Sequence, residues 1–295
     1  MEKCVLCPRK CLAERNSGKI GFCGAGEKPK LARAMLHFWE EPPISGTRGS
    51  GAVFFSNCTL KCQFCQNFKI SDQGFGKEIT EKRLGEIFLE LQEKGAHNIN
   101  LVSPTPYVKS IKSAIDMVRK ELTIPIVYNT SGNETVETIK SLEGYVDVFL
   151  PDLKYVDSKL SKKLSHAENY FEFASKAIIQ MQKQTGKNTY DKEGILKKGI
   201  IVRHMVLPSY TENSTKCLRW ISENLPLDEI LVSIMSQYTP FHKAESFPEI
   251  NRRLTEEEYE KVLDFADEIG IENGFIQELS SAKEEYTPIF DLQGV

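Results

Sequence analysis

The chain has 295 residues, 40% of them apolar and 27% charged, a composition that can bury the core of one large domain with or without a small appendage. Its net charge of −3 and pI of about 6.1 leave no basic footprint for a nucleic-acid partner. No run of about 18 apolar residues spans a membrane, and the polar start Met1-Glu2-Lys3-Cys4 has no apolar signal-peptide stretch. The eight cysteines therefore read as metal ligands in a reducing cytoplasm rather than as disulfides.

Four of them come first, as Cys4, Cys7, Cys11 and Cys23 in the pattern C-x2-C-P-R-x-C-x11-C. So little apolar material surrounds them that this stretch cannot form a core unaided, and a bound metal would supply the missing folding energy. Zinc in a closed four-cysteine site and a second iron–sulfur cluster both suit the ligands. Residues 1–45 are expected to form this metal-binding segment and its lead-in, with residues 46–295 as the core and a C-terminal extension. The lead-in is Ala-rich and runs through Trp39-Glu40-Glu41-Pro42-Pro43 into a Gly-rich turn at residues 45–51, and that turn reads as a plain loop.

From there strand and helix signals alternate, as a parallel sheet or barrel requires. The strand candidates are 52–56, 98–103, 124–129, 145–150, 199–207 and 229–235. Helical spacing appears at Leu84, Ile87, Phe88 and Leu91, with Thr80 as cap and Gly95 as stop. It returns at Val108, Ile111, Ile115 and Val118, and at Tyr259, Val262, Leu263 and Ala266 after the capping box of Thr255 and Glu258. Cys217, beside Leu218 and Ile221 at helical spacing, reads as a small core residue. The predicted fold is α/β, an open or partial (β/α)6 barrel with a small Cys-rich segment ahead of it. Active sites of such folds lie at the C-terminal edges of the strands.

The first strand runs straight into Cys58-Thr-Leu-Lys-Cys62-Gln-Phe64-Cys65, a C-x3-C-x2-C loop. A [4Fe–4S] cube normally takes four cysteines, so three leave one iron open to a small molecule. A zinc site usually shows two C-x2-C-type pairs instead.

This loop, with an aromatic residue before its last Cys, resembles the signature of the radical S-adenosylmethionine (SAM) superfamily. The resemblance is closest to the activating enzymes of glycyl-radical enzymes, the pyruvate formate-lyase activating enzyme family. It is carried by Phe54-Phe55-Ser-Asn-Cys58 through Cys65-Gln-Asn67, by Asp152-Leu-Lys154, by Arg203 followed by hydrophobic residues and Pro208, and by Pro240-Phe-His242, over roughly residues 50–245. It implies a [4Fe–4S] cluster on Cys58, Cys62 and Cys65 whose open iron chelates the methionine moiety of SAM, and a 5′-deoxyadenosyl radical formed on reduction. Phe64 would pack near the adenine, Asp152, Lys154 and Arg203 would position the methionine group, and Asn67 and His242 would complete the SAM site. Asn129 is a candidate ribose contact. One departure stands out: where the family carries Gly-Gly-Glu for the SAM amino group, this chain has Val102-Ser103-Pro-Thr105, and Ser103 or Thr105 would accept the ammonium instead.

Asp152 and Lys154, two apart on an extended segment, share a face, which suits either a zwitterionic ligand or an ion pair. Arg203 interrupts an apolar strand, so it needs a carboxylate from a ligand or from a neighbouring strand. The resemblance implies a substrate of one kind above others, a glycine backbone on a partner glycyl-radical enzyme, with flavodoxin or ferredoxin as electron donor. A small molecule or peptide side chain is the rival substrate, and a non-catalytic iron–sulfur or zinc redox protein the rival class.

Overall fold

The structure, a computed structural model, describes residues 3–281 and 288–295. Its first elements are β1 (Lys30–His37), α1 (Pro42–Ser45), β2 (Ser50–Phe55), α2 (Phe68–Ser71), β3 (Lys77–Glu78) and α3 (Glu81–Glu93). Then come β4 (Ile99–Val102), α4 (Val108–Val118), β5 (Ile126–Thr130), α5 (Val136–Lys140), β6 (Val148–Pro151), α6 (Ser158–Ser165) and α7 (Tyr170–Thr185). The chain continues through β7 (Thr189–Tyr190), β8 (Leu196–Met205), α8 (Thr211–Asn224), β9 (Leu231–Met235), α9 (Glu256–Glu268) and β10 (Gly274–Ile276).

β2, β4, β5, β6, β8 and β9 are the six expected strands, each parallel to the next in sheet order, and β10 extends the series. This is the predicted α/β architecture of β/α units. The strands are buried on both faces, as parallel strands covered by crossover helices must be. Their pleat sends Val53, Phe55, Leu101, Tyr128, Phe149 and Val202 into the large core shared with the helices. Alternate residues such as Val127, Val148, Leu150 and Ile201 form a separate cluster on the inner face. Helix ends follow the sequence signals: the Thr80 hydroxyl accepts from Arg83 N–H, and both halves of the Thr255/Glu258 capping box are made. Cys217 is fully buried in the core.

Two things differ from the expectation for the lead-in. Residues 30–37 form β1, antiparallel to β2 over most of its length, with β3 on its far side. Alanines are poor strand signals, and pairing with β2 overrides them. The Pro42-Pro43 segment, for which the sequence suggests no element, begins a short helix whose Ile44 is fully buried in the inner-face cluster. Asn98 Nδ2 donates to the Ile44 carbonyl at 2.7 Å and fixes this plug to β4's end. Past β3, the edge of β1 is taken up by the residues near 295: Ala34 N–H donates to the Gln293 carbonyl (2.9 Å) and Leu292 N–H to that of Ala32 (3.0 Å).

A candidate metal and cofactor site at the strand ends

β2 delivers the cysteine loop to the C-terminal edge of the sheet. Asn57, just before Cys58, and Lys61, just before Cys62, take positive φ angles, 72° and 55°, which turn the chain tightly at these thiols. Each sulfur accepts hydrogen bonds: Cys58 from Leu60 N–H at 3.5 Å, Cys62 from Ser165 Oγ at 3.0 Å, and Cys65 from Ser71 Oγ at 3.2 Å and from the Asn67 backbone. Cys58, Cys62 and Cys65 line a single cavity. Among the described residues no three His, Cys, Asp or Glu side chains gather closely enough to share one metal ion. A four-iron cube asks less, since each thiolate binds a different iron, and the three need only face a common space. Asn67 lines the same cavity, and its Oδ1 is buried without a hydrogen-bond partner. The donor set therefore fits a three-cysteine cluster with a bound co-substrate.

The same cavity is lined by charged side chains. Lys154 Nζ lies 2.6 Å from Asp152, so the two side chains do share a face, and the pair is largely buried. Arg203, on β8, donates to Asp152 (2.9 Å), Asn129 Oδ1 (2.6 Å) and Glu40 (3.3 Å). Of the two explanations for this buried guanidinium, the geometry is that of the ion pair with neighbouring strands. Burial alone would raise the Asp152 carboxyl, but Arg203 and Lys154 outweigh it and hold it below its ordinary value. For Glu40 burial wins and its carboxyl is raised, Arg203 compensating in part. Lys154 also acts on Cys62, which ties the charged residues to the thiols.

Phe64, Ser103 and Asn129 line the cavity with them. Phe64 meets Tyr238 edge to face at 5.6 Å. Thr105 is turned away to donate to buried Glu134, which leaves Ser103, with φ 57°, as the hydroxyl facing the site. His242 is not on the cavity wall: it stacks on Phe68 at 5.0 Å and bonds Asp72 at 3.1 Å, flanking the cysteine loop. The strand end that carries it contributes Gln237, Tyr238 and Thr239 instead. Glu40 and His37 were not singled out as site residues by sequence. The carboxylate pair between Trp39 and Pro42 was the available signal, unreadable without knowing that the segment enters the barrel.

In the N-terminal segment Cys7 and Cys23 are buried, Cys4 is half-buried and Cys11 exposed. The backbone turns back on itself there, with Cys4 N–H bonded to Ala13 O and Leu12 N–H to Cys4 O. The Cys11 sulfur packs so tightly on Gly21 that a Cβ there would sit 2.3 Å away. A side chain at that position would push the exposed Cys11 thiol aside.

Residues 52–221, more than half of the chain, match the radical SAM superfamily. The chain belongs to that superfamily, whose members cleave SAM at an iron–sulfur cluster. A curated relative, an uncharacterized protein of Methanocaldococcus jannaschii, is 33% identical over 281 residues, covering 92% of this chain and 76% of its own. Among solved structures, Streptococcus suis SuiB bound to precursor peptide SuiA is similar at 17% identity and a TM-score of 0.53, over 76% of this chain and 48% of SuiB. A domain of pyruvate-formate lyase-activating enzyme from Bacteroides vulgatus is 13% identical with a TM-score of 0.41, over 58% of this chain and 93% of that domain. This chain spans about half the length of SuiB. Among the described residues no helix is long and apolar enough to cross a membrane.

Proposed function

We propose that this radical SAM enzyme acts in the cytoplasm on a partner glycyl-radical enzyme, abstracting hydrogen from a backbone glycine Cα. The observation that carries the chemistry is a single cavity lined both by Cys58, Cys62 and Cys65 and by Asp152, Lys154 and Arg203. The activating-enzyme assignment rests on the cysteine loop through Asn67 and on the Asp152-x-Lys154 element, which resemble that family. When bound, the cluster supplies the electron that splits the SAM sulfonium to a 5′-deoxyadenosyl radical, with flavodoxin or ferredoxin as its source.

The chain's own residues prepare that event. Asp152 and Lys154 present a carboxylate and an ammonium to a zwitterionic methionine group. Arg203 holds the Asp152 carboxylate ionised and oriented from the neighbouring strand. Ser103 takes the place of the family's Gly-Gly-Glu near the amino group, and Phe64 and Tyr238 supply an aromatic wall for the adenosine. Apolar Val102, Met205 and Met235 line the cavity and limit water around the radical. Ahead of a core spanning residues 46–295, residues 1–45 would hold zinc or a second iron–sulfur cluster on Cys4, Cys7, Cys11 and Cys23, whose thiols are not gathered around one ion in this structure.

Anaerobically reconstituted protein, reduced and given SAM with lysate of its own cells, is expected to release 5′-deoxyadenosine and to yield a persistent glycyl doublet by electron paramagnetic resonance. The nucleoside without a doublet would redirect the substrate to a small molecule or peptide side chain. No nucleoside, or undiminished nucleoside from a Cys62→Ala variant, would overturn the cluster assignment.

A further inference from the structure

We propose that Arg9 joins the N-terminal cysteine segment to the catalytic cysteine loop and sets the reduction potential of the cluster held there. Arg9 lies in the Cys7-Pro8-Arg9-Lys10-Cys11 turn, yet all its side-chain hydrogen bonds go outside that turn. Its Nε donates to the Thr59 carbonyl at 2.6 Å, one residue after Cys58. Its Nη1 and Nη2 donate to the His166 and Ser165 carbonyls, at 2.9 and 3.3 Å. Those carbonyls close the C-terminal end of α6, where a cation is favoured. Ser165 is the residue whose hydroxyl bonds the Cys62 sulfur. Phe22, from the turn before Cys23, stacks under the guanidinium at 3.5 Å. One side chain thus touches both cysteine segments and the helix end that hydrogen-bonds a cluster ligand.

Charge makes this contact more than a staple. The three hydrogen bonds of Arg9 go to neutral carbonyls, whereas Lys154, the cation on the cavity side of Cys62, is paired with Asp152. Through Thr59, next to Cys58, and Ser165, whose hydroxyl bonds the Cys62 sulfur, the Arg9 charge is held within one residue of two cluster ligands. Reduction adds one electron, from a low-potential donor protein, to a cluster and thiolates that are already anionic. A fixed cation beside them favours the reduced form and raises the potential, one of the levers by which proteins tune such clusters. The N-terminal segment, whatever metal it holds, would therefore bear on the cluster by placing this charge.

This inference rests on Cys58, Cys62 and Cys65 holding the cluster, and the test separates the two. Wild type, Arg9→Met and Arg9→Lys are reconstituted in the full-length chain, their iron is counted, and the signal that changes on adding SAM is followed through a redox titration. Arg9→Met is expected at a more negative midpoint than wild type with equal iron, and Arg9→Lys, which keeps the charge, close to wild type. A shared midpoint for Arg9→Met and wild type overturns the inference, as does an equal shift in Arg9→Lys and Arg9→Met, which marks hydrogen-bond geometry rather than charge. If Arg9→Met fails to retain iron, Arg9→Gln, still able to donate to the Thr59 carbonyl, carries the same comparison. A wild-type protein with no SAM-responsive signal would instead sink the functional reading beneath it.

Discussion

Arg203 is the residue on which the charged set depends, because Asp152 and Glu40 are buried carboxylates that share it. Removing one partner of such a set strands the others without solvent. Arg203→Met is expected to destabilise the fold by about 3–5 kcal/mol, read by urea denaturation, and adding Glu40→Gln should recover part of that loss. No recovery would mean that the two groups are not energetically coupled. Glu134 makes a pH-dependent contribution. Burial, the largest cause, raises its carboxyl to about 7, with the Thr105 and Thr130 hydroxyls pulling it back in part. A carboxyl raised in the folded state stabilises fully below its unfolded value and loses that contribution as pH climbs through the folded one. Stability should thus fall by up to about 3 kcal/mol between pH 4.5 and 7, and Glu134→Gln should flatten the curve. A slope that survives in the Gln variant would assign it elsewhere. The thiols and the Asp152/Lys154 pair were legible in the sequence because their spacing is local. Glu40 was not: its meaning comes from Arg203, 163 positions away.

The same divide runs through the elements. The six parallel strands were readable because burial on both faces makes them continuous apolar runs. β1 was missed because Ala32 and Ala34 are weak strand formers, although both are buried against their neighbours. α1 was missed because Pro42-Pro43 reads as a breaker, while proline at a helix's first turn is well tolerated. That short plug is predicted to matter out of proportion to its length. Ile44→Ala would leave a void among Val127, Val148, Leu150 and Ile201, costing about 2–5 kcal/mol. A loss below 1 kcal/mol would mean that the surrounding side chains collapse into the gap.

At the scale of the molecule, a well-packed sheet carries an N-terminal segment with almost no core of its own. Val5, Leu12, Ile20 and Phe22 are all exposed there. Metal removal by a chelator under anaerobic conditions is therefore expected to raise amide hydrogen exchange across residues 3–28 well before β4, β5 and β6 lose protection. Simultaneous loss in both would show that the segment and the sheet unfold as one unit. The plug has a consequence in time. Glu40 meets Arg203 only after 163 positions of chain have been brought round. Closing such a loop costs entropy that grows with its length, and contacts of this separation slow folding. The β/α units, with their local contacts, can assemble early, cysteine loop included. The ionic floor beneath the cavity is completed only when β8 docks, so a chain halted before that strand would have its thiols in place and no cation to balance Glu40.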